Sequence, residues 1–104
     1  MTLSEIQALV VSVDANAGHY ESAYRDAEAY TVWFEVRTLD MMGDNQHVGG
    51  ISFQIDRFTK VEGDTIAEAL EQALEARDDV AFTHITSYET DTGYIHHIFD
   101  CEGV

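Results

Sequence analysis

The chain has 104 residues, with 20 Asp and Glu against 5 Lys and Arg, and a formal net charge of −15 at pH 7. That length suits a single domain, 1–104, and 45% hydrophobic residues are too many for an acidic disordered tail. So acidic a chain is unsuited to stable nucleic-acid binding or to docking on an anionic membrane, and its longest apolar run, 8–13, is too short to span one.

Thr2-Leu3-Ser4-Glu5 fits a capping box, and Ile6, Leu9, Val10 and Val13 follow at helical spacing, which predicts a first helix ending at Asn16 to Gly18. His19 to Glu28 is irregular and polar, a loop. Ala29 to Leu39 reads as a strand, with Val32, Phe34 and Val36 on one face and Thr31, Trp33, Glu35 and Arg37 on the other. Asp40 to Gly50 contains three glycines and several turn formers and predicts a loop longer than a tight hairpin needs. A second strand places Ile51, Phe53 and Ile55 together, and Phe58 breaks the phase as a bulge or a strand end. Asp64 or Thr65 caps a second helix, whose stripe is Ile66, Ala67, Leu70, Ala73 and Leu74 beside an acidic stripe of Glu68, Glu71 and Glu75. Val80 to Tyr88 forms a third strand, Thr90 to Gly93 a turn, and Tyr94 to Cys101 the last strand. The αββαββ order predicts an α+β fold, a four-stranded antiparallel sheet with two helices packed on one face.

Little in the chain points to catalysis. His96 and His97 are adjacent on a strand, so they point to opposite faces and cannot both ligate one ion, and no H-E-x-x-H or C-x-x-C spacing occurs. Asp40, Asp44 and His47 could gather around an ion but lack the order of a calcium loop. Cys101 stands between Asp100 and Glu102, which raise a thiol's pKa, the wrong direction for a nucleophile. As the lone cysteine it leaves no intrachain disulfide. No basic segment precedes an apolar one near residue 1, so no secretory signal is expected. The expectation is a soluble non-enzyme of a reducing compartment, without cofactor or metal.

Interaction is the better-supported theme. Trp33 is either exposed on an uncovered sheet face, as interface tryptophans are, or covered by the His19–Glu28 loop. Met41 and Met42 at the start of the long loop expose apolar surface that a partner would cover. With Asp44, Asn45 and His47 nearer its tip, these residues are the candidate contacts.

Several segments carry a family resemblance: the opening Met1 to Ile6, the strand Ala29 to Phe34, the loop at Gly43-Asp44-Asn45, the strand Ile51 to Asp56, Phe58-Thr59-Lys60 before the second helix, and above all the closing Ser87 to Asp100. In these the chain resembles the tail terminator, or tail-completion, proteins of long-tailed phages and prophages, also described as minor capsid or head–tail joining proteins. It departs in having Ala29 where a proline is common and glutamates in a helix region that tends to be lysine-rich. The resemblance implies a structural virion protein at the head–tail junction, assembled in the host cytoplasm as a ring, usually of six copies. Its implied partners are itself, the tail-tube protein and the head-connector protein. Six copies would gather −90 formal charges (6 × −15), so closure must rest on apolar burial and paired charges and be easier in high salt. The alternative is an acidic phage inhibitor that mimics DNA, of the anti-restriction or anti-CRISPR type. Against it, Glu68, Glu71 and Glu75 cover only about 10 Å of helix at about 1.5 Å per residue.

Overall fold

A computed structural model of the chain describes residues 1–43 and 46–104, those from 39 to 49 by their backbone alone. The first helix, α1 (Leu3–Val13), begins as its sequence dictates: the Thr2 hydroxyl accepts from the Glu5 N–H at 3.1 Å, and the Glu5 carboxylate accepts from the Thr2 N–H at 3.3 Å. These reciprocal bonds satisfy two of the donors a helix start leaves open. The second helix, α2 (Thr65–Glu75), is capped by Asp64, whose carboxylate accepts from the Ala67 N–H at 3.0 Å.

Among the described residues five strands form one sheet: β1 (Gly18–His19), β2 (Ala29–Gly43), β3 (Gln46–Thr59), β4 (Val80–Tyr88) and β5 (Ile95–Gly103), in spatial order β1-β2-β3-β5-β4. The α+β class and the four long antiparallel strands match expectation, but the sheet is mixed and has a fifth strand. The short β1 pairs parallel with β2, Gly18 opposite Val32 and His19 opposite Trp33. A Cβ on Gly18 would clash with the Glu21 carbonyl oxygen, so only glycine fits. Tyr20 then turns the chain at φ +69°, and its N–H donates to the Trp33 carbonyl. Two residues are too few to leave a periodic signal, which is why β1 escapes a reading of hydrophobic pattern.

Residues paired directly across antiparallel strands share a face. Trp33, Ile55, Phe99 and His84 therefore form one row on the side that the helices cover. Ile6, Val10, Leu70 and Leu74 of the helices join Trp33, Phe53, Ile55, Phe99 and Cys101 in a single core. This corrects the expected role of Trp33 as an exposed contact. It is 1% exposed, its Nε1–H donates to Gln7 Oε1 at 2.8 Å, and the His19 ring stacks on it at 3.9 Å. Alternation along β2 separates two faces without saying which is inside. The pairing with Ile55 decides, and Val32 and Phe34 fall on the uncovered side with Asp56 and Gln54.

Two further expectations are revised. Phe58 makes no bulge; it stands one residue before the end of β3 at Thr59, on the uncovered face, its ring stacked against Tyr30 at 4.6 Å and His96 at 4.0 Å. The bulge lies instead in β2, between Glu35 and Arg37. The expected long loop is largely paired strand: Leu39, Asp40, Met41, Met42 and Gly43 face Gly50, Gly49, Val48, His47 and Gln46. The strand on the other side of β3, β5, ends at Gly103 opposite Ile51, so these five pairs form a two-stranded arm about 17 Å long at about 3.4 Å per residue. The turn expected at Thr90 to Gly93 is present, with Gly93 at φ +79° and its N–H donating to the Glu89 carbonyl.

Because Trp33 is core, Trp33→Ala should destabilise the chain by about 3–5 kcal/mol. Urea unfolding followed by circular dichroism measures this, and a loss below about 1 kcal/mol would contradict the placement.

Candidate interaction surface

Beneath the helices, the sheet and both helix ends converge on one side chain. Arg57 projects from β3 on the covered face, with its side chain 7% exposed. Its Nε–H donates to Asp64 at 2.8 Å, while one terminal amine reaches Asp14 at 3.4 Å and the Thr31 hydroxyl at 3.1 Å. Asp14 ends α1 and Asp64 starts α2. Burial alone would push Asp64 up, but the hydrogen bond from Arg57 and that from the Ala67 N–H outweigh it and hold the carboxyl below its usual range.

The histidines separate as their spacing requires. His97 lies on the covered side, where its Nδ1 is 2.9 Å from His84 Nε2, and His84 stacks on Phe99 at 4.3 Å. Burial, then the neighbouring His84, push His97 below the ordinary imidazole value. His96 lies on the uncovered side between Asp56 (3.5 Å) and Glu89 (3.6 Å), with Nε2 buried and without a hydrogen-bond partner. At the other sheet edge His19 bonds Glu35 at 2.7 Å and Tyr20 donates to the same carboxylate. The hydrogen bond from His19 lowers Glu35. Burial, with Asp100 adding to it, pushes the Cys101 thiol up to about 12, so it stays protonated at neutral pH. Among the described residues no group of three or more His, Cys, Asp or Glu side chains is placed to hold a metal ion.

What remains for contact is the uncovered side and its margins. Tyr30, Val32, Phe34, Phe58 and Ile98 line the open face, with Val36 54% and Ile85 55% exposed. Tyr88, at the end of β4, is 63% exposed. Of the contacts expected from sequence, Trp33 belongs to the core. Met41, Met42 and His47 are strand positions on the arm, their side chains outside the described residues, and Asp44 and Asn45 lie outside them altogether. Asp40 and His47 are thus brought to one arm, but any ion site with Asp44 also falls outside the described residues. Val36, Ile85 and the β4 margin were missed. Their signal was legible in one place: Val80 to Tyr88 carries no Asp, Glu, Lys or Arg in a chain that is 24% charged.

The chain matches no protein-family model and no curated protein sequence.

Removing Arg57 would strand two carboxylates, so Arg57→Met should cost about 3–5 kcal/mol, read from urea midpoints at pH 7. A second expectation concerns acid. A group whose folded pKa is depressed contributes stability that is complete above its unfolded value and is lost as pH falls through the folded one. For His97 that loss starts near the ordinary imidazole value of about 6.5. The unfolding midpoint should fall as pH drops below that value, and His97→Phe should make the slope shallower; an unchanged slope would contradict it.

Proposed function

We propose that the chain is a structural assembly protein that forms a ring of identical copies, closing a phage tail tube and meeting the head connector, as the resemblance to tail terminators implies. The observation that carries this reading is the arm. A two-stranded ribbon with no third strand is marginal in water by itself, yet β2 and β3 stay paired for five residues beyond the last residue of β5. Such a ribbon suits a protein whose sheet is completed by a neighbour. The open face, with Val36 and Ile85 exposed, adds apolar surface of the kind an assembly interface buries.

Charge sets the conditions. Copies carrying −15 each repel, and salt screens that repulsion over about 10 Å at 0.1 M and about 3 Å at 1 M. An acidic lumen would also let DNA pass without holding it.

Negative-stain electron microscopy of the purified chain at low and high salt tests the reading. Rings are expected, more abundant in high salt, and adding them to polymerising tail-tube protein should stop elongation. A chain that stays monomeric in all salts and leaves tube growth unaffected would refute it. Competition with DNA for a nuclease would favour the DNA-mimic alternative instead.

A further inference from the structure

The sheet has an unprotected edge. Among the described residues β4 is its last strand, bonded only to β5. Natural edge strands are usually blunted by charge, proline, a bulge or brevity. β4 is nine residues long, Val-Ala-Phe-Thr-His-Ile-Thr-Ser-Tyr, with no proline and no Lys, Arg, Asp or Glu, and its pairing with β5 runs without a register shift. Two backbone bonds set the phase of that pairing: the Val104 N–H donates to the Asp79 carbonyl and the Glu89 N–H to the Tyr94 carbonyl. Hydrogen-bonded and non-bonded pairs alternate along an antiparallel ladder. Odd-numbered residues of β4 therefore bond β5, and the N–H and C=O groups of Val80, Phe82, His84, Thr86 and Tyr88 point outward.

The same chain holds a complementary lack at the other side of its sheet. β1 covers β2 only at Val32 and Trp33. Past the bulge, Arg37 to Gly43 has β3 on one side and, among the described residues, no strand on the other. These seven residues fit within the nine of β4.

We propose that β4 of one copy adds to the outer edge of β2, along Arg37–Gly43, in a second copy of this chain. The occupant is argued from charge and from length. In a molecule of net charge −15, β4 is a stretch of edge that a like molecule can approach without setting carboxylate against carboxylate. The arm segment facing it carries one cation, Arg37, and one anion, Asp40. Added in this way, β4 supplies the arm's third strand, and the arm covers the outward groups of β4. The two edges are different surfaces, so the contact is head-to-tail and closes into a ring or runs on as a filament. The proposal rests on the ring reading above for closure, and its test separates the two.

Amide hydrogen exchange of the intact chain, read residue by residue by NMR as concentration and salt are raised, provides that test, with sedimentation run in parallel. In dilute protein the Val80, Phe82, His84, Thr86 and Tyr88 amides should exchange freely while those of Ala81, Thr83, Ile85 and Ser87 are protected. On association the even-numbered amides should slow at least tenfold, together with amides in 37–43. Thr86→Pro, which removes an outward N–H and leaves the β5 ladder whole, should return the chain to monomer with its odd-numbered protection intact. Rings in which the even-numbered β4 amides stay open would overturn this interface and leave the ring reading standing. Protection of β4 without 37–43 would mean two-fold pairing of β4 with itself and would overturn the head-to-tail contact. A monomer under all conditions overturns the proposal.

Discussion

The architecture hangs on the guanidinium of Arg57. It is a basic side chain in a chain with five, and it is placed where the carboxyl end of α1, the start of α2 and the strand β2 meet. Hydrophobic burial holds the helices against the sheet but is indifferent to small slides along it. A fork of fixed donors is not: contacts to Asp64, Asp14 and Thr31 specify where each helix stands relative to the strands. Lysine could supply the charge but not the planar set of directions.

From that docking follows the difference between the two sides of the sheet. α1 and α2 both settle on one face, so Trp33, Phe53, Ile55 and Phe99 go dry together. The other face keeps Phe34, Ile98 and Ile85 without a helix above them. Its polar groups are arranged in pairs: along β3 Gln54 donates to Asp56 at 2.8 Å, and across strands His96 of β5 sits between Asp56 and Glu89. One face is thus a core, and the other is a surface with apolar area and partly matched charge.

The large negative charge takes its meaning from this geometry. Like copies are held apart by their mean field, which is long in range and weakened by salt. Contacts that survive must be short in range and locally neutral. Backbone hydrogen bonds at a strand edge meet that description, since they carry no net charge and gain nothing from side-chain sign. An uncharged β4 in so acidic a chain is consistent with that constraint.

Much of the local structure was legible. The capping box at Thr2 and Glu5, the Asp64 cap, the apolar stripes of both helices, the turn at Gly93 and the four long strands follow from interactions within a few residues, which a sequence states directly. The opposed placement of His96 and His97 follows from the strand's period of two. The arm was less visible, because Gly43, Gly49 and Gly50 signal turns as readily as they tolerate pairing across a ribbon. β1 left no pattern at all. The candidate contacts fared according to range: Trp33 was placed on the correct strand, but its exposure depends on partners 22 and 26 residues away, Ile55 and Gln7.

By itself, then, the sequence determined the two helices and four long strands, the order of these six, the class of fold and the charge that any assembly must overcome, because each of these is set by composition or by neighbours along the chain. Which face of β2 is buried, the node at Arg57, the parallel strand at Gly18 and the free edges of β2 and β4 were decided only by tertiary structure. Each depends on registers and contacts between distant segments, and periodicity leaves the two faces of a strand equivalent until another surface covers one of them.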